Sequence, residues 1–232
     1  MKLIRRAGAR GHADHGWLKT WHTFSFADYV DGAHMGFRSL RVINEDFVAP
    51  KTGFGTHPHR DMEILTYVLE GELTHRDSLG NEAIIRHGDV QRITAGTGVR
   101  HSEMNSHPTQ VVHLFQVWIL PDRHGHTPAY DDRHFAASGR KNKWQVIASG
   151  DGRGDALDIR QDAVVSVAEL DPRVSLVAAT APDRHLWLQV MRGSVSIADM
   201  TLEEGDGLAV SEEVGITLTA VTSAEVMLFD LT

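Results

Sequence analysis

The sequence predicts an all-β protein of the jelly-roll kind, and three observations carry that expectation. Stretches rich in Val, Ile, Leu and aromatic residues alternate partly with period two and stop at Gly, Asp, Asn or Pro. No long segment shows the 3.6-residue apolar period of a helix. A β-unit also recurs: "TYVLEG" at 66–71 followed by "HGD" at 87–89, and "LQVMRG" at 188–193 followed by "EGD" at 204–206. A chain of 232 residues exceeds a typical single domain, and the repeat favours two small domains over one large one.

In chain order, "RSLRVINEDFV" (38–48) is the first strong strand signal, followed by the block from "ILTYVLEGEL" to "VQRITAG" (64–96) and by "VVHLFQVWILP" (111–121). Residues 121–160 then gather Pro, Gly, Asp and Arg with little alternation, and their middle reads as a connection between domains. Strand signals resume at 185–210 and 216–231. The expected division is therefore an N-terminal domain over 1–130 and a C-terminal domain over 131–232.

Composition narrows the chemistry. There is no cysteine, which excludes disulfides, thiolate zinc sites and cysteine nucleophiles, so a metal would rest on His and carboxylate ligands. The net charge is −8, and residues 181–232 hold nine Asp/Glu against Arg184 and Arg192 alone. No basic stripe of the kind that binds phosphate backbones is present, so direct nucleic-acid binding is not expected. The start "MKLIRRAGARGHADHG" lacks a secretory apolar segment and no apolar run approaches a membrane span, so a cytoplasmic protein without membrane contact is expected. Nucleophile-elbow, phosphate-loop and dinucleotide motifs are missing.

The chemistry-bearing stretches are "GTHPHRDMEILTYVLEGE" (55–72) and "GTGVRHSEMN" (96–105). On a strand, residues i and i+2 share a face, so His57 and His59 project together, with Pro58 suiting a strand start or edge. His101 and Glu103 repeat that spacing after a glycine-rich turn. Three neutral nitrogens and one carboxylate suit Fe, Mn, Co, Ni, Cu or Zn, and four ligands on an octahedral ion leave two positions open to chemistry. By the same parity Glu63 could ligate the ion or brace a ligand. His124 and His126 read as a chance repeat of the spacing. Capping and packing are the expected roles of His12, His15, His22 and His34. His75, His87, His107, His113 and His134 read as structural or exposed, and Trp17, Trp21, Phe24 and Phe26 as core or a cover over the sheet.

These two stretches resemble the metal motifs of the cupin superfamily, and more closely those of pirins, whose "HPH" and "HSE" they reproduce. "GHADHGWLKTWHTFSFADY" (11–29) and "MGFRSLRVINED" (35–46) extend the likeness over roughly residues 10–120. The resemblance implies a bicupin, two jelly-roll β-barrel domains, with His57, His59, His101 and Glu103 as metal ligands. Glu103 is thereby preferred to Glu63, which general cupins would use. Around "APDRHLWLQV" (181–190) only His185 remains, so the C-terminal cupin is expected to be metal-free. The resemblance further implies a quercetin 2,3-dioxygenase-like enzyme that takes a small aromatic substrate and O₂. One divalent transition metal ion, iron foremost, would serve it, with Glu103 or a nearby carboxylate accepting the substrate proton. The alternative it implies is a metal-binding, redox-sensing interaction protein of the transcription co-regulator type, with a protein partner.

Overall fold

The computed structural model describes residues 1–232. It is built almost wholly of strands: the helical segments are one 3₁₀ turn, Ala7–Ala9, and one short helix, Ala137–Arg140. No helix is long and apolar enough to cross a membrane. The chain forms two compact units, and each pairs a seven-stranded sheet with a four-stranded sheet. The expected all-β bicupin is what the chain adopts.

The first unit comprises Gly11–Phe135 and Ile159–Gln161. In its large sheet Glu63–Glu70 and Val112–Ile119 lie side by side at the centre, flanked by Asp89–Thr94 on one side and Leu40–Val48 on the other. Its small sheet runs Thr52–His59, Val99–Asn105, Glu72–Asp77, Glu82–Arg86. The strands alternate because the barrel interior must be filled, but the filling is layered. Val68, Leu73, Ile85, Val112 and Leu114 belong to one apolar cluster, and Ile64, Ile93, Ala95 and Val99 to another. At the same-face positions between them the inward residues turn polar. Thr66 separates Ile64 from Val68, and Gln116 follows Leu114. Gln91 precedes Ile93, and on the small sheet His75 follows Leu73 while His101 and Glu103 follow Val99. Thr66 pairs with Gln116 on one side and Gln91 on the other, and His75 faces Glu103.

The second unit holds Met1–Arg10, Ala136–Asp158 and Asp162–Thr232, so the division expected at 130/131 with residues 1–130 together is corrected at both ends. The strand Lys2–Arg5 pairs antiparallel with Gly207–Val210, Lys2 opposite Val210 and Arg5 opposite Gly207, which covers an edge that would otherwise expose unpaired backbone groups. Asp206, which is buried, secures the segment: it accepts from Arg6 Nη1 at 2.6 Å and from the Ala7 N–H at 2.7 Å. At the other boundary Ala129–His134 pairs residue by residue with Asp89–Thr94, so a cut at 130 would split a strand of the first unit. The interior of the second unit is hydrocarbon, with Leu186, Leu188, Val190, Val195, Leu208 and Val226 in one cluster. His185 bonds Ser211, Nδ1 to Oγ at 2.8 Å.

Replacing Asp206 by Ala removes its hydrogen bonds to Arg6, whose side chain is exposed and still reaches the Thr201 carbonyl, and to the half-buried Ala7 N–H; a hydrogen bond contributes about 0.5–1.5 kcal/mol. Urea unfolding of Asp206→Ala should show that loss, while metal content, which depends on the other unit, stays at the wild-type level.

Candidate metal centre and its cavity

Thr52–His59 pairs with Val99–Asn105 so that His101 lies opposite His57 and Val99 opposite His59. Between His101 and Glu103 the register shifts, because Glu103 faces Phe54 and the His-bearing strand carries an extra residue there. Such a bulge bends a strand and re-aims its side chains. Close approach of the two strands is possible because residue 53 is glycine: a Cβ there would meet the Glu103 carbonyl oxygen at 2.3 Å. The glycine-rich turn ahead of His101 forms as expected, with Gly96 at φ +47° and the Gly98 N–H donating to the Ala95 carbonyl at 2.9 Å.

These constraints bring His57, His59 and His101 together. Their ring centroids are 4.4–4.8 Å apart, and one nitrogen from each lies within 4.8 Å of the others. His59 Nε2 and both nitrogens of His101 are buried with no hydrogen-bond partner in the protein. His57 Nδ1 lies 2.8 Å from the Gly55 carbonyl; since a carbonyl only accepts, that nitrogen carries the proton and Nε2 keeps its lone pair. Burial, then the neighbouring His101 and His57, pushes the His59 pKa down to about 4, and burial likewise lowers that of His101. Neutral imidazoles with unshared lone pairs fit a transition-metal ion.

Glu103 sits beside this trio rather than inside it. Its nearest grouping of ligand-type atoms is with His75 and His101, so His101 joins both sets. Both carboxylate oxygens are engaged: Gln91 Nε2 donates to Oε1 at 2.7 Å, the Thr66 hydroxyl to Oε1 at 3.4 Å, and Gln116 Nε2 to Oε2 at 2.8 Å. His75, read from sequence as structural or exposed, is fully buried next to His101. It stacks on Tyr130 with centroids 4.4 Å apart and bonds Asp77, Nε2 to Oδ2 at 3.1 Å. Its placement depends on the strand register that sets it opposite Glu103.

The parity argument that put Glu63 beside His57 and His59 fails. The chain turns between them, with Asp61 at φ +49° and its N–H on the Gly96 carbonyl, and Glu63 opens the next strand in the other sheet. There it accepts from the Thr94 hydroxyl at 2.9 Å, and burial, tempered by Thr94, raises its pKa to about 6. Glu63 belongs to neither ligand grouping.

A cavity of about 390 Å³ opens against the centre, with His57 and Glu103 in its wall. Ligand pockets commonly span roughly 300–1,000 Å³. Trp17, Phe26 and Phe54 give the cavity aromatic sides, while Thr20, His22, Asn44 and Asp46 give it a polar floor. The N-terminal aromatics thus divide. Trp17 and Phe26 cover the cavity, Phe24 is core, and Trp21 packs against Phe47 and His12. His15 and His22, read as capping or packing residues, also line the cavity. The other "HxH" histidine, His126, bonds Asp122 at 2.6 Å, in keeping with a chance repeat.

Two family models match the chain, one described as pirin over residues 3–119 and one as the quercetinase C-terminal cupin domain over 146–231. The chain belongs to the pirin family. A protein of Escherichia coli K12 named quercetin 2,3-dioxygenase is 47% identical over 231 residues, covering 100% of this chain and 99% of that one. A pirin-like protein of Caulobacter vibrioides is 43% identical, covering 95% of each. Among solved pirin structures, that of YhhW from E. coli superposes with a TM-score of 0.96 at 46% identity, over 100% of this chain and 98% of that chain. The same bacterial pirin in complex with nickel(II) gives a TM-score of 0.94 at 46% identity, over 100% and 99% of the two chains.

The cavity floor sets a pH dependence for the metal-free pirin. Burial is the main cause raising the Asp46 pKa from 3.8 to about 7, with the Thr20 hydroxyl opposing and the charges of Glu103 and Glu45 adding to it. The folded protein therefore holds this proton more tightly than the unfolded chain does, and the stability it contributes is present in acid and lost as pH rises from about 4 through about 7. Thermal unfolding of metal-free Asp46→Asn should show a smaller loss across that window and exceed wild type at pH 8, by about 1–3 kcal/mol.

Proposed function

We propose that this protein is a metal-dependent dioxygenase that opens a flavonol-like aromatic substrate with O₂, releasing one ring carbon as carbon monoxide. The observation that carries this reading is the trio of imidazoles beside a cavity large enough for a planar bicyclic or tricyclic ligand, with His57 and Glu103 in its lining. The names of the E. coli relative and of the C-terminal family model support the substrate class.

His57, His59, His101 and Glu103 would hold one divalent transition metal ion. Iron is the first choice for reaction with O₂, and the E. coli pirin solved in complex with nickel(II) supports a divalent transition metal as the kind of ion held. Bound there, the ion supplies positive charge that acidifies an enolic hydroxyl and a centre for electron exchange with O₂. The protein supplies the rest. Trp17 and Phe54, which meet edge to face at 5.2 Å, form with Phe26 an apolar slot that orients a flat ring and sheds water. Glu103 receives the proton of the substrate's 3-hydroxyl at a carboxylate oxygen. Gln91, Thr66 and Gln116 keep that carboxylate aimed through the reaction, which lowers the cost of reorganisation. A regulatory, metal-sensing role would need no such slot, and the slot is why catalysis is preferred.

Three measurements test this. Elemental analysis should find close to one transition metal per wild-type chain and almost none in His57→Ala/His59→Ala. Glu103→Gln should lose more metal affinity than Glu63→Gln, whose carboxyl lies outside the ligand groupings; changes behind the ligands typically cost ~10–100-fold. For activity, metal-loaded wild type should consume O₂ and release carbon monoxide from quercetin, with Glu103→Ala and metal-free protein slower by at least ~100-fold. Equal carbon monoxide release by all three, at confirmed metal occupancy, would replace the dioxygenase with the binding-protein reading.

A further inference from the structure

The cavity floor contains polar atoms that neither the metal ligands nor the fold makes use of. Leu18, Thr20 and His22 face the cavity from one strand, and Asn44 and Asp46 from the strand beside it. The register sets His22 opposite Asn44 and Thr20 opposite Asp46. The first pair is self-sufficient, His22 Nδ1 and Asn44 Oδ1 lying 2.8 Å apart. The second is not. Thr20 and Asp46 are each only 3% exposed, yet neither Thr20 Oγ1 nor Asp46 Oδ1 makes a hydrogen bond of full geometry; the hydroxyl makes only a poor contact with the carboxyl, enough to oppose the rise of its pKa and too little to satisfy either atom.

Buried polar groups are nearly always paired, and one left unpaired destabilises the fold. Two such atoms, side by side on adjacent strands and lining the same cavity as His57 and Glu103, are a site built for a ligand group. The group must complement a hydroxyl and a carboxyl together. A ligand hydroxyl does so in every protonation state of Asp46, because it can donate to the carboxylate or accept from the carboxylic acid, and it can do either with Thr20. A carbonyl or ether can only accept, and an apolar edge would leave both atoms unpaired.

We propose that Thr20 and Asp46 form a hydroxyl-reading subsite that positions a polyhydroxylated aromatic substrate through a ring hydroxyl other than the one directed at the metal. The substrate class rests on the dioxygenase reading; the subsite itself rests on the two unpartnered atoms. Thr20 and Asp46 are thus positioning and specificity-determining residues, separate from the metal ligands.

The test uses metal-loaded protein and two flavonols with the same 3-hydroxy-4-keto unit: quercetin, which carries further ring hydroxyls, and 3-hydroxyflavone, which carries none. Affinity is read without O₂ from quenching of tryptophan fluorescence, Trp17 lying in the cavity wall, and turnover is read separately as carbon monoxide. Wild type should prefer quercetin by about tenfold or more. In Thr20→Val/Asp46→Ala the preference should collapse to about twofold through weaker quercetin binding alone, with 3-hydroxyflavone affinity and metal content retained. Thr20→Val by itself preserves shape and should show part of that loss, while Asp46→Asn keeps both a donor and an acceptor and should keep most of the preference. A preference that survives the double substitution, equal weakening of both ligands, or no preference in wild type overturns the subsite while leaving the dioxygenase standing. Binding that depends on Asp46 without carbon monoxide release supports the subsite and removes the dioxygenase. No binding of either flavonol by wild type removes both.

Discussion

The N-terminal barrel is arranged around the need to keep one carboxylate inside it. Moving a carboxylate out of water is costly unless hydrogen bonds replace its hydration, and Glu103 receives three, from Gln91, Gln116 and Thr66. Each donor occupies a position where strand alternation would otherwise place an aliphatic side chain. The donors are themselves fixed: Gln91 also donates to Thr66 Oγ1 at 3.2 Å, and Gln116 Oε1 accepts from Trp118 Nε1 at 3.1 Å. One buried acid therefore forces a polar layer through three central strands, and the apolar clusters on either side seal that layer from water.

The second barrel shows what the fold does without that demand. Aligning "TYVLEG" with "LQVMRG" sets Thr66 against Leu188 and Ile64 against Leu186. Where the first copy has a hydroxyl supporting Glu103, the second has a fully buried leucine. The jelly roll is stable in either form, so the polar layer of the first unit serves the site and is not required by the architecture. The polar layer around Glu103 belongs to one copy, while the matching layer of the other is packed as a conventional core.

Much of this was legible in the residues. Alternation and turn residues identify the strands, the repeat identifies two copies, and the i, i+2 spacing picks out His57, His59 and His101, which the structure brings together. What was not legible depends on register and on pairings distant in sequence. His75 looks isolated until the Glu72–Asp77 strand is laid against Val99–Asn105. Glu63 looks coplanar with the histidines until the turn at 60–62 breaks the count. The floor residues Thr20 and Asp46 lie 26 positions apart and become neighbours only through strand pairing. The ends of the domains were misplaced for the same reason, since nothing in "KLIR" says that its partner is "GLAV" some 200 residues later.

That last pairing bears on how the molecule is made. The strand Lys2–Arg5 is synthesised some 200 residues before the strand that binds it, Gly207–Val210. Most of the metal-type barrel, Gly11–Phe135, can leave the ribosome and collapse while the leading segment still has no edge to join. The C-terminal barrel can close only after Gly207–Val210 has emerged, so its sheet joins segments that lie far apart in the message. Residues 159–161 add a second constraint, since the Asp122 N–H donates to the Arg160 carbonyl at 2.7 Å and draws the chain back to the first unit before the second is finished. Neither barrel corresponds to one uninterrupted stretch of sequence, and no single cut would release either of them whole.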